Sequence, residues 1–172
     1  MSKMLKIIGA VAIINIVARL FGFLREVVIS NQYGTSNAAD AIVTAYTIPN
    51  FIYLVLGGAL TTAFISVYHS TQSDKAMYVR KSFTTVLVSS VAITALLMAF
   101  TDPLLHMMFE GLTEKEFALT RNLYLWMMPS SIILVLSTWM SGLLNVNGKF
   151  NLSSISVLLY NASFVCIAVL LT

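Results

Sequence analysis

The chain has 172 residues, of which 58% are hydrophobic and only 10% charged, and its mean hydropathy is +0.87. Soluble domains carry roughly 25% charged residues, so the composition excludes an ordinary water-soluble domain and defines an all-α polytopic membrane protein. The net charge of +3 (10 basic minus 7 acidic) is too small to suggest nucleic-acid binding. Cys166 is the single cysteine, which excludes an internal disulfide and a multi-cysteine metal cluster, and His69 and His106 belong to no ligand-spaced motif.

Five apolar segments are expected to span the membrane, over residues 7–30, 38–68, 82–100, 122–144 and 152–172. Each has the roughly 20 residues needed to cross about 30 Å of hydrocarbon. Lys3 and Lys6 before the first segment imitate a signal peptide, but a secreted soluble chain would not continue with further long apolar runs. Lys3, Lys6, Lys75, Arg80, Lys81 and Lys149 fall on one side of this topology. The other side has Lys115 and Arg121 among Asp102, Glu110, Glu114 and Glu116. The positive-inside rule then puts the amino terminus in the cytoplasm.

The first segment carries Arg19, Arg25 and Glu26, and each ionised side chain facing lipid would cost about 2.5–3.5 kcal/mol. At about 100° per residue, Asn15, Arg19, Gly22, Arg25 and Glu26 share one arc of roughly 120°. Ile13, Ile16, Val17, Leu20, Phe23, Leu24 and Val27 take the opposite face. The helix is thus amphipathic within the membrane: its charges point to protein or to a watery cavity, and its apolar face meets lipid or neighbouring helices. Gly22 lies between the arginines with no side chain to block a ligand approaching both.

Tyr33-Gly34-Thr35-Ser36-Asn37 is turn-rich and ends the first helix, with Ser36 or Asn37 placed to cap the next. Asp40, Thr44 and Thr47 fall within an arc of roughly 60° on the second helix. That stripe suits either a partner for the arginines or, for Asp40, a helix-start carboxylate at the interface. Pro49 removes a backbone donor and Gly57-Gly58 follows two turns later, so the second helix is expected to bend or break.

The third segment carries no charge and reads as a packing helix. Thr113 and Glu116 have capping-box spacing, so the fourth helix is expected to start before the membrane and to continue through Pro129. Tyr124, Trp126 and Trp139 suit aromatic belts. Ser130, Ser137 and Ser141 form a small-residue stripe suited to helix packing. The fifth segment reaches Thr172 with no polar tail, which gives the chain the look of a truncated one.

The run Ala18-Arg19-Leu20-Phe21-Gly22-Phe23-Leu24-Arg25-Glu26 is followed by Tyr33-Gly34-Thr35, Ala39-Asp40-Ala41, Ile48-Pro49-Asn50 and Gly58-Ala59-Leu60-Thr61-Thr62-Ala63-Phe64. These ordered motifs resemble the amino-terminal signature of the MurJ/MviN lipid II flippases, in the multidrug/oligosaccharidyl-lipid/polysaccharide exporter superfamily. Leu144-Asn145, Gly148-Lys149-Phe150 and residues 158–161 are similar to the same family's fourth and fifth helices. The resemblance implies fourteen helices in two lobes around a cationic cavity, with residues 1–172 supplying five of the six helices of the first lobe.

It further implies a transporter rather than an enzyme, without cofactor, metal or catalytic residue, in the bacterial cytoplasmic membrane. Arg19, Arg25 and Asp40 match residues the family uses in its cavity, with Gly22, Glu26 and Asn50 beside them in the candidate substrate-binding set. The implied partners are lipid II or a similar polyprenyl-diphosphate-linked sugar, membrane lipids and a missing carboxy-terminal lobe, with no nucleic acid. Guanidinium forks suit diphosphate oxygens.

The chain also departs from the family pattern. Tyr53 stands where a further cavity arginine is usual, Gly57 where an acid is frequent, and prolines expected around Ser153 and Val157 are missing. Export of another lipid-linked oligosaccharide, or a role as a non-transporting fragment or helper subunit, are therefore the alternative readings. A buried network in which Arg19 or Arg25 pairs with Glu26 or Asp40 only to hold helices together is the alternative for the arginines.

Overall fold

The computed structural model of the protein describes residues 2–34, 37–70, 74–109 and 111–170. Its helices are α1 (Ser2–Tyr33), α2 (Asn37–Ile52), a π-helical segment (Tyr53–Gly57), α3 (Gly58–Ser70), α4 (Lys75–Ala99), α5 (Thr101–Met108), α6 (Glu114–Val146) and α7 (Phe150–Leu170). Among the described residues there is no strand. Among the described residues four stretches are long and apolar enough to cross a membrane: Leu5–Val28, Asp40–Ser70, Lys75–Ala99 and Glu114–Val146. The fifth expected segment is occupied by α7.

Two compact units divide the chain, Met1–Thr35 with Met140–Thr172, and Ser36–Trp139. In the first, α1 packs along α7. Ala18 is buried there, and Ser153 and Ser154 are buried on α7. Ala18 and Gly22, four residues apart, give α1 a face without bulk, which lets a neighbouring helix come close. The expected apolar face of α1 is open, with Ile13, Ile16, Leu20 and Phe23 all exposed. Such a surface is stable in hydrocarbon and would aggregate in water. Gly34 ends α1 as expected: its φ of +59° suits a residue without Cβ, and its N–H donates to the Ser30 carbonyl at 2.9 Å. Ser36 lies outside the described residues, as does the side chain of Asn37, so the expected cap falls outside them too.

The second unit is built around aromatic packing. Phe64 is buried against Tyr68, Tyr78 and Trp139, with ring centroids 5.6, 5.7 and 5.1 Å away. Lys75 Nζ lies 5.0 Å from the Tyr68 ring centre. Trp139 is only 3% exposed and its Nε1–H donates to Ser82 Oγ at 3.1 Å, while Tyr124 is fully buried and donates to the Leu97 carbonyl at 3.3 Å. The aromatic-belt expectation is therefore corrected for these two. Each buries its ring between helices and satisfies its polar tip inside the protein. Trp126, 85% exposed, alone of the three faces outward.

The serine stripe is corrected as well. Ser130 and Ser137 are exposed, whereas Ser131 is buried and its hydroxyl meets Thr94 Oγ1 of α4 at 3.1 Å. Of the three expected serines, Ser141 alone reaches another helix, lying 3.5 Å from Ser156 of α7.

The expected break in the second span is present as the π-helical turn of residues 53–57. Pro49 lacks the N–H that would bond one turn back, and one wider turn after it relieves the resulting mismatch. Gly57 is buried, and a Cβ there would touch Thr138 at 3.4 Å. A longer, acidic side chain at position 57 would need Thr138 to move, so this departure from the family pattern has a packing reason.

α6 begins with the expected capping box. Glu116 Oε2 accepts from the Thr113 N–H at 2.9 Å and from its hydroxyl at 2.8 Å, and the Glu116 N–H donates to Thr113 Oγ1 at 3.4 Å. The helix then runs through Pro129, as expected. α4 starts seven residues earlier than expected because Asp74 caps it, accepting from the N–H groups of Ala76 and Met77 at 3.0 and 3.1 Å. α5 lies between the third and fourth expected spans. Pro103 sits in its first turn, where a missing donor costs nothing, and Leu105 buries its side chain completely. Asp102 pairs with Arg121 and His106 stacks on Phe117 at 4.1 Å, joining α5 to the start of α6.

Candidate functional site

The arc of polar residues on α1 divides into two places within the first unit. Near the middle of α1, Asn15, Ala18, Arg19 and Gly22 line an open groove of ≈530 Å³ together with Val157 and Asn161 of α7. Asn161 is what joins the two helices there. Its Nδ2 donates to the Ala18 carbonyl and to the Val157 carbonyl, both at 3.3 Å. Its side chain lies over Gly22, where an added Cβ would stand 3.8 Å from Asn161 Oδ1. The absent side chain at position 22 thus admits α7's carboxamide as well as leaving the groove open.

Arg19 is exposed, and within its unit it makes no ion pair or hydrogen bond among the described residues. Two carboxamides, Asn15 and Asn161, share its groove. A permanently charged fork beside neutral donors and acceptors can hold an anion whose other parts are hydroxyls or amides.

Arg25 behaves differently. Its Nη2 lies 2.6 Å from Glu26 Oε1 and its Nε 3.1 Å from the same oxygen, with the side chains 21% and 62% exposed. Glu26 also lines, with Val27, Ser30 and Asn31, a second open groove of ≈510 Å³. An anion approaching Arg25 would compete with the Glu26 carboxylate.

Asp40 and Asn50 belong to the second unit. Asp40 is exposed in the first turn of α2, and Asn50 Oδ1 accepts from the Tyr46 hydroxyl at 3.2 Å one turn earlier. The structure therefore brings Arg19 and Gly22 to one groove and sets Arg25 against Glu26. Asn161 was missed as a site residue by sequence reasoning, although a carboxamide in an apolar segment is a usable signal. Among the described residues no group of histidine, cysteine and carboxylate side chains is arranged to hold a metal ion.

Fold and groove together define an all-α, multi-pass membrane protein with a guanidinium, within a stretch long and apolar enough to cross a membrane, beside an open groove. Comparison with known proteins places it more narrowly. The family model described as lipid II flippase MurJ matches residues 29–172, and the chain belongs to the MurJ lipid II flippase family, whose members are transporters rather than enzymes.

Among curated relatives, a probable lipid II flippase MurJ of Buchnera aphidicola subsp. Schizaphis graminum is 29% identical over 95% of this chain and 33% of its own length. A probable lipid II flippase MurJ of Synechocystis sp. is 30% identical over 89% of the chain and 30% of its own length. The lipid II flippase MurJ of Burkholderia cenocepacia is 26% identical over 90% of the chain and 32% of its own length. The chain thus spans about a third of the length of the curated relatives it matches. No solved structure matches it.

Proposed function

We propose that the chain takes part in flipping lipid II across the bacterial cytoplasmic membrane by alternating access, with residues 1–172 forming most of the first of two lobes. The observation that carries this reading is Arg19, exposed within the apolar stretch Leu5–Val28 and lining an open groove with Asn15 and Asn161. An ionised side chain kept there is costly unless something polar visits it. In the proposal the Arg19 fork binds diphosphate oxygens, and the two carboxamides meet phosphate or sugar groups beside them. Arg25 gives a second contact when the anion displaces Glu26. Asp40, Gly22 and Asn50 stay in the substrate set on the family resemblance. No bond is made or broken, and the headgroup crosses as the lobes rock.

The basic excess on its side of the topology supports an amino terminus in the cytoplasm. A reporter active only outside the cytoplasm, fused after Gly148, would be silent under this orientation, and a strong signal would reverse it.

Rescue of bacteria depleted of their lipid II flippase tests the function, using the complete gene. The parent should restore growth. Arg19→Ala should abolish rescue at unchanged membrane abundance, and Arg19→Lys should recover only part of it, because an ammonium lacks the planar fork. Loss of rescue in step with loss of protein would instead favour an arginine that only holds helices together. Tyr53, in place of a further cavity arginine, supports the second reading, export of another polyprenyl-diphosphate-linked oligosaccharide. A well-expressed parent that fails to rescue would favour it.

A further inference from the structure

α4 has two unlike faces. Val86, Ser90 and Thr94 are buried against its own unit. Roughly 180° around the helix lies an open groove of ≈810 Å³ that runs from Arg80 and Lys81 past Thr84, Thr85 and Val88 to Ala92. Both basic side chains are exposed and have no ion-pair partner among the described residues. The acid closest to them in sequence, Asp74, already accepts from two backbone N–H groups at the start of α4. Lys75 is engaged with the Tyr68 ring, so the free charge of this end is concentrated at residues 80 and 81.

Below the charges the strip is suited to hydrocarbon. The hydroxyls of Thr84, Thr85 and Ser89 donate to carbonyls of the same helix, those of Arg80, Lys81 and Thr85, at 3.1, 3.0 and 2.7 Å. No unsatisfied donor is left on them for lipid to strand. From residue 80 to residue 92 the helix rises about 18 Å, close to the roughly 15 Å depth of hydrocarbon in one leaflet. A free phosphate would use the charges and leave the strip bare.

We infer that this outward groove of α4 is a binding site for an anionic phospholipid, its phosphate held by Arg80 and Lys81 and one acyl chain lying along Thr84, Val88 and Ala92. Charge complementarity selects an anionic over a zwitterionic lipid, since the ammonium of the latter would be pushed against two cations. None of its residues lines the Arg19 groove, and the proposal does not depend on the transported substrate.

The test is titration of the purified protein with phosphatidylglycerol or phosphatidylcholine, with bound lipid counted by native mass spectrometry. Phosphatidylglycerol should bind at least tenfold more tightly. Arg80→Gln with Lys81→Gln should weaken it about twenty-five-fold, at about fivefold per charge, and leave phosphatidylcholine unchanged. The matched pair Lys6→Gln with Lys149→Gln, which removes the same charge elsewhere, should keep the preference. Three results would overturn the site: equal binding of the two lipids by the parent, as when protein covers this face; a preference that survives in the Arg80/Lys81 variant; or equal loss in the matched control. The parent's own preference is read without any substitution, and both altered positions are exposed.

Discussion

In the second unit several polar groups between helices are closed on one another: Trp139 donates to Ser82, Tyr124 to the Leu97 carbonyl, and Thr94 meets Ser131, while the buried hydroxyls of Thr61 and Thr120 have no partner among the described residues. In the first unit Asn161 ties α7 to α1, yet Arg19 beside it has no ion pair or hydrogen bond within the unit among the described residues and faces an open groove. The difference separates two uses of polarity in an apolar medium. Most of the hydroxyl, indole and phenol groups that serve packing are paired, and a lone buried hydroxyl such as that of Thr120 costs only a modest amount. A permanently charged group left open costs far more than a lone hydroxyl, and this points to a task other than holding helices together.

Substitutions can break or sharpen that contrast. The largest effect is expected for Trp139→Ala, which empties the space beside Phe64 and Phe83 and strands Ser82. It should lower stability by about 3–5 kcal/mol in thermal or denaturant unfolding in detergent, and a loss below about 1 kcal/mol would remove the second unit's claim to a packed core. Next, a double-mutant cycle on Thr94→Val and Ser131→Ala should give a coupling of about 0.6 kcal/mol, typical of hydroxyl pairs between membrane helices. Strict additivity would mean the 3.1 Å contact contributes nothing. The smallest effect is expected for Arg19→Ala on stability. An exposed residue without a partner in its unit should change the unfolding free energy by no more than about 0.5 kcal/mol, while transport is lost. A large destabilisation would turn Arg19 into a structural residue and erase the contrast.

Much of the architecture could be read from the chain because its signals are local. Pro49 with Gly57-Gly58 announced the irregular turn at 53–57, and Thr113 with Glu116 announced the start of α6. The polar arc of α1 likewise foretold that Asn15, Arg19 and Gly22 share a surface. Asn161 could not be joined to them in the same way, since its place depends on how α7 lies against α1. Ser130 and Ser131 make the same point: adjacent in sequence and about 100° apart on the helix, one is exposed and the other buried.

Sequence alone therefore determined the membrane class, the order of the helices, the cost of carrying Arg19, Arg25 and Glu26, and the family motifs, because hydropathy and capping act within a few turns of one chain. Tertiary structure alone decided which side of each helix is inside: that Trp139 and Tyr124 are core residues, that Asn161 closes on Gly22, and that Arg80 and Lys81 face outward. In water the apolar stripe of a helix reports its buried side. In hydrocarbon a helix without a charged arc such as that of α1 is apolar on both sides, so sequence leaves its phase open and only packing against neighbours settles it.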